Sequence, residues 1–371
     1  MSASSPSVIV VGAGVVGAAC AEALAEAGCR VSVLEAGFPG AGATGAAMGH
    51  IVVMDDSEAQ FALTAYSRRL WTERVGELPP DVEDDPCGTL WVAADDEELA
   101  HVRQKAAHYA SRGEAVELLD ARALGEAEPE LRAGLAGGLR VASDRVVYPP
   151  AAARFFLEKA REHGATVELQ TNVEAVEPAR VRCSGAWREA DVVLNAAGAE
   201  APRLTPGLPI VPRKGHLVIT DRYPGFLRHQ VVELGYLKSA HTLTRESVAM
   251  NVQPRRTGQL LVGSSRELVG WDPALNRPLC ARMLRRAAEY LPRLSRLSAL
   301  RTWVGFRPAT PDKLPLVGPW EKGLWIAAGH EGLGVTTAPG TARLLADLVL
   351  GRAPAIDAAP FAPRREMPAH G

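Results

Sequence analysis

An α/β unit interleaved with an antiparallel β unit is the fold class that three observations predict. A G-x-G-x-x-G spacing, Gly12, Gly14 and Gly17, joins a buried strand to a helix near the start of the chain. Strand and helix patterns suited to the same unit return at 165–195 and again at 324–350. Between 211 and 307 the pattern changes to short strands of alternating polarity, which suit a mostly antiparallel sheet. A chain of 371 residues has room for both units. The α/β unit is assigned 6–85, 145–212 and 318–352, and the sheet-rich unit 86–144 and 213–317. Residues 353–371, rich in Ala, Pro and Arg, are read as a loose tail.

Residues 8–11 are a short β-branched apolar run, which reads as a strand buried on both faces. Gly12 permits a tight turn, and Gly14 has no Cβ to block a phosphate approaching the backbone. Gly17 lets the next helix, 18–27, lie close to the strand, and Gly28 stops that helix. The helix start, with Val16 beside it, offers unpaired N–H groups and a partial positive charge to phosphates. A second buried strand, 31–34, ends at Glu35, followed by Ala36. A carboxylate there accepts hydrogen bonds from ribose hydroxyls and repels a 2′-phosphate, so NADP fits poorly. Strand, glycine turn, helix, strand and acid together define a dinucleotide site.

A second loop follows, with four glycines in residues 37–45 and Gly49 ahead of His50. It is either a plain flexible loop or a second backbone surface against phosphate, with Ala43 and Thr44 on it. Residues 60–75 read as an amphipathic helix with Phe61, Leu63, Tyr66, Leu70 and Trp71 in the core. The acidic, proline-rich stretch 78–86 reads as a boundary. Strand 88–93, helix 96–112, strand 115–119 and a hairpin region over 134–148 form an insertion. Helix 149–163, with proline in its first turn, leads to strands 165–169, 173–176 and 191–195. The last of these ends in Ala196, Ala197 and Gly198. Strands 215–219, 248–252 and 259–263 and a helix at 277–290 occupy the sheet-rich part. Glu233 and Tyr236 fall in a loop-like stretch, read as surface.

The net charge of −2 gives no case for nucleic acid. No apolar run approaches the roughly 18 residues of a membrane span. The first residues lack a basic start, so no signal peptide is expected. Five scattered cysteines without metal-ligand spacing imply reduced thiols in the cytoplasm and no metal.

Two late stretches carry the remaining chemistry. Arg307 precedes a proline, which holds it extended. Its guanidinium either clamps a carboxylate through two parallel hydrogen bonds or pairs with a local acid such as Asp312. The second stretch, 329–341, is a glycine-rich turn running into the last helix, again with bare N–H groups at its start. Dinucleotide features at both ends of a chain suit a long cofactor, FAD rather than NAD.

With Gly12, Gly14, Gly17 and Glu35, the 42–45 loop, Asn195 to Gly198, Arg307 to Asp312 and Gly329 to Gly334, the sequence resembles the D-amino-acid oxidase family of flavoenzymes. That family includes glycine oxidase, sarcosine oxidases and D-hydroxyproline dehydrogenases, and the likeness covers roughly 6–352. It implies a Rossmann-like, glutathione-reductase-like FAD domain interleaved with an antiparallel substrate domain, and oxidation of a Cα–N bond. By the same resemblance Arg307 holds the substrate carboxylate, and the Val173 backbone meets adenine. Ala197, Gly198, Gly332 and Leu333 then line the cofactor, and Gly334, Val335 and Thr336 contact the flavin's pyrimidine edge.

Two departures shape the expectation. Gly305 stands where monomeric sarcosine oxidases carry a flavin-linked cysteine, so the FAD is expected to be non-covalent. Met250, Asn251 and Gln253 stand where glycine and D-amino-acid oxidases place a tyrosine over the substrate. Asn251 is therefore a candidate second donor to the carboxylate. The stretches 49–56 and 253–265 look most like D-hydroxyproline dehydrogenases, pointing to cis-4-hydroxy-D-proline or D-proline. A glycine or sarcosine substrate is the alternative, as is a role as the flavin subunit of a hetero-oligomeric dehydrogenase complex. His50 is a candidate base or substrate contact beside a structural role, and His330 is read as a hydrogen-bonding residue. Quinone, oxygen or a partner protein stand open as electron acceptor. So do a homo- or hetero-oligomeric state and a peripheral place at a membrane.

Overall fold

The computed structural model describes residues 5–234 and 246–368, so Tyr236 lies outside the described residues. The chain opens with β1 (Ser7–Val11), α1 (Val15–Glu26), β2 (Arg30–Leu34), β3 (His50–Ile51) and α2 (Glu58–Glu73). Next come β4 (Thr89–Ala93), α3 (Asp96–Ser111), β5 (Glu117–Asp120), α4 (Ala121–Ala127), β6 (Gly137–Val141) and β7 (Arg145–Val146). Then follow α5 (Pro149–Glu162), β8 (Thr166–Glu168), β9 (Val173–Glu177), β10 (Arg180–Cys183), β11 (Ala186–Glu189), β12 (Val192–Asn195) and α6 (Ala201–Leu204). The remainder is β13 (Val211–Thr220), β14 (Gln230–Glu233), β15 (Glu246–Pro254), β16 (Leu260–Glu267), α7 (Arg277–Tyr290), β17 (Ala299–Ala309), β18 (Leu316–Glu321), β19 (Leu324–Ala328) and α8 (Gly334–Val349). Two compact units result, one from 1–82, 148–213 and 306–371, the other from 83–147 and 214–305.

The first unit is built on a six-stranded sheet in the order β18-β19-β12-β1-β2-β8. Its strands pair in parallel from β19 to β8, and β18 alone runs antiparallel. The β-branched run of β1 is buried because strands lie on both sides and helices cover the faces. Helix α1 starts at Val15 rather than at residue 18, since Gly14 is extended (ψ 168°) and serves as its N-cap. Its alanines bury the helix against α5 and α8. A side chain at Gly17 would put its Cβ 2.1 Å from the Gly12 carbonyl oxygen, so only glycine lets the helix fold back on the turn.

Helix α8 carries Pro339 in its interior, which leaves the Val335 carbonyl without its helical N–H partner. Trp71 of α2 supplies the replacement: its indole N–H donates to the carbonyls of Val335 and Thr336, each at 3.1 Å. The expected loose tail is held instead. Phe361 is buried, and Arg365 pairs bidentately with Asp312 at 2.7 and 2.9 Å. A hydrophobic ring and a forked ion pair outweigh the Ala/Pro composition there.

The second unit holds most of an eight-stranded sheet in the order β17-β13-β16-β15-β14-β4-β6-β5. One face carries the apolar core, with Leu90, Val231, Met250 and Val252 under Met283 and Ala287 of α7. Glu233 is not a surface loop residue. It ends β14, is buried, and its carboxylate receives Arg286 and the Met250 N–H. A buried carboxylate is retained there because a guanidinium and a backbone donor both meet it.

Candidate active site

Parallel pairing places the residues that follow β1, β2, β12 and β19 at one edge of the first unit's sheet. This carboxyl edge is where open α/β sheets bind ligands. Gly12 and Gly14, Glu35 and Ala36, Ala197 and Gly198, and the turn leading to Gly334 all stand on it. Residues predicted from three distant parts of the sequence are thus brought together by topology.

Glu35 does more than wait for a ribose. Its carboxylate accepts from the Ala13 N–H at 2.7 Å and from the Gly37 N–H at 2.8 Å, tying the first glycine turn to the second. A carboxylate has about four lone-pair sites, so two are left for hydroxyls. Thr44 accepts from the Val15 N–H at 3.1 Å and so reaches the start of α1. At Gly14 a Cβ would have only the Thr44 hydroxyl within 4 Å, and at Gly42 or Gly198 it would meet nothing within 4 Å. These glycines leave open backbone for a ligand, so the edge fits a phosphate-bearing cofactor. Buried Asn195 shapes the third turn, accepting from the Ala197 N–H and donating to the Ala201 carbonyl and the Thr205 hydroxyl. Val173 is buried at the start of β9.

The last turn is braced from two sides and closed by a bond of its own. The Glu331 N–H donates to the Pro308 carbonyl at 2.9 Å, and the Glu331 carboxylate pairs with Arg213 at 2.8 Å. The Leu333 N–H closes onto the His330 carbonyl. Arg307 lies against this turn. A Cβ at Gly332 would be 3.8 Å from both its Cδ and its Nε. Asp312, the alternative partner considered for Arg307, is engaged by Arg365.

His330 is buried, with Nε2 3.0 Å from the Thr341 hydroxyl, and burial pushes its pKa down to about 3. It is therefore a neutral hydrogen-bonding residue at ordinary pH. His50 is half-buried after Gly49, and its carbonyl accepts from the Thr336 hydroxyl at 2.8 Å. That bond joins the second glycine loop to the first turn of α8. Arg213 and Trp71 escaped the sequence reading as site supports, because their partners lie 118 and 264 residues away. Asn251 belongs to the second unit, where it is buried on β15.

Residues 7–348 match the family described as "DAO: FAD dependent oxidoreductase". The chain belongs to this family. It is an FAD-dependent oxidoreductase with a Rossmann-like cofactor domain and a sheet-rich substrate domain. The chain is 33% identical to the glycine oxidase of Pseudomonas aeruginosa, over 96% of this chain and 98% of that protein. It is 29% identical to the hydrogen cyanide synthase subunit HcnC of the same organism, over 97% and 96% of the two chains. The crystal structure of glycine oxidase from Geobacillus kaustophilus superimposes with a TM-score of 0.87 at 28% identity, covering 98% of this chain and all of that one (100%). No helix among the described residues is long and apolar enough to cross a membrane.

Proposed function

We propose that the chain oxidises the Cα–N bond of a D-amino or cyclic imino acid, with cis-4-hydroxy-D-proline and D-proline as the substrates. The observation that carries this reading is Arg307, whose stem lies along Gly332 in the turn that opens α8. Its guanidinium holds the substrate carboxylate through two parallel hydrogen bonds. Bound FAD supplies the hydride acceptor. The protein's own part is orientation, which fixes the Cα–H in line for transfer and lets solvent take the amine proton.

In this reading the first unit, 1–82, 148–213 and 306–371, is the FAD domain, and the second, 83–147 and 214–305, the substrate domain. Gly12, Gly14, Val16, Gly17, Ala43 and Thr44 hold the pyrophosphate, Glu35 and Ala36 the adenosine ribose, and the Val173 backbone the adenine. Ala197 and Gly198 line the cofactor, while Gly49, His50 and the run from Gly332 to Thr336 hold the flavin end. The FAD is non-covalent, and the enzyme acts in the cytoplasm. Its electrons pass to a quinone, to oxygen or to a partner protein. The likeness of the stretches 49–56 and 253–265 to D-hydroxyproline dehydrogenases supports a ring-bearing substrate over glycine.

A second reading, glycine or sarcosine oxidation, is favoured by the similarity to glycine oxidases. Anaerobic bleaching of the flavin separates the two. Rapid bleaching by the D-prolines supports the first reading; bleaching by glycine or sarcosine alone replaces it with the second. Admission of air afterwards tells an oxidase from a dehydrogenase.

A further inference from the structure

Three contacts seat the turn ahead of α8 on the end of β17 and the residue beyond it, and they run in opposite order along the two segments. Arg307 lies over Gly332, and the Pro308 carbonyl accepts from the Glu331 N–H at 2.9 Å. Thr310 packs so closely on Gly329 that a Cβ there would stand 2.7 Å from its methyl group. All of these residues belong to the first unit, as does Arg213. The place of Arg307 is therefore tied to the place of this turn.

Glu331 is an unexpected residue for it. Its φ is +46°, in the left-handed region where a side chain is strained and glycine is not. Glycines already stand at 329, 332 and 334, and a fourth at 331 would relieve the backbone. Such strain persists only where the surroundings hold it. Arg213 supplies part of that hold, its Nη1 donating to the Glu331 carboxylate at 2.8 Å. The two side chains are only 9% and 14% exposed, so solvent ions screen the pair little. Removing one partner of such a pair leaves the other charge buried without its counter-charge.

We propose that Arg213 is a positioning residue for Arg307. Its guanidinium holds the Glu331 carboxylate, Glu331 holds the turn in its left-handed conformation, and the turn holds Pro308 and the stem of Arg307. The proposal rests on the reading of Arg307 as the carboxylate clamp and deepens it by naming what sets the clamp. Two parallel hydrogen bonds tolerate little displacement, and a shift of about 1 Å costs on the order of 100-fold. Arg213 itself needs no contact with substrate. It reaches Glu331 through one guanidinium nitrogen, so positive charge and reach are what the pair demands. A lysine ammonium supplies both, whereas a glutamine amide offers only a weaker neutral donor.

The test uses the FAD-loaded enzyme and pyrrole-2-carboxylate, a planar carboxylate with no Cα–H to lose, its Kd read from the shift in flavin absorbance. Arg213→Gln should raise Kd by about tenfold or more, and Arg213→Lys should stay within about threefold of the wild type. Arg307→Ala should also raise Kd, and adding Arg213→Gln to it should weaken binding no further, because Arg213 acts through Arg307. Glu331→Gln replaces Arg213→Gln should that variant not fold, and KM for D-proline replaces Kd should the spectrum not move. A wild-type Kd in Arg213→Gln, beside a weakened Arg307→Ala, overturns the proposal and leaves the clamp standing. So does a double variant weakened by the full product of the two single losses, or a lysine variant no better than the glutamine one. A wild-type Kd in Arg307→Ala overturns the clamp and the proposal together.

Discussion

A guanidinium next to a glycine turn can be tested by truncation. Arg307→Ala removes the proposed clamp on the substrate carboxylate and should lower kcat/KM by about 100-fold or more, mostly through KM. Steady-state kinetics with an artificial acceptor checks it, and unchanged kinetics removes Arg307 from the site. His330 gives a different kind of test. Burial holds its folded pKa at about 3, below the ordinary 6.5, so the unfolded chain takes up the proton first as pH falls. Its contribution to stability is complete above about pH 6.5, shrinks as the pH drops, and levels off only below about 3. Urea midpoints between pH 7 and 4 should therefore fall less steeply in His330→Asn than in the wild type.

At the scale of elements, Trp71 and Ser67 of α2 both donate to backbone carbonyls of α8. Trp71→Phe puts a smaller aromatic ring in place of the buried indole and removes the donor to two carbonyls, one of them left open by Pro339. A loss of about 1–3 kcal/mol is expected in denaturant unfolding. Much at this scale was legible beforehand. The β1–α1–β2 run was readable because periodicity and glycine spacing are local properties, and Glu35 was placed by its distance from Gly14. Arg307 was readable as extended because the following proline restricts it, and it does lie in a strand, β17. What was not legible depends on remote partners. Glu233 looks like loop material until Arg286 and Met250 are brought to it, and Arg365 looks like tail until Asp312 arrives. Asn251 stood out only as a departure from a family pattern; its unpartnered oxygen appears only in three dimensions.

The whole molecule should be stabilised by its cofactor. A ligand that binds the folded state adds RT ln(1 + [L]/Kd), about 2.7 kcal/mol at a hundredfold excess over Kd. Stripping FAD should lower the melting temperature, and adding it back in increasing amounts should raise the temperature progressively; a covalently attached flavin would resist the stripping. The chain order sets one more condition. Both segments of the sheet-rich unit, 83–147 and 214–305, are synthesised before the last segment of the first unit. Helix α1 emerges early, yet α8, against which it packs, begins only at Gly334. At about 5–20 residues per second that is a wait of roughly 15–60 s on the ribosome. Until α5 is made the alanine-rich helix lacks both helices it packs against, after that it still lacks α8, and throughout the edge that receives the cofactor lacks its final turn. Loading with flavin is thereby deferred until the turn before Gly334 has emerged, and the nascent chain must be kept from other strands and helices until then.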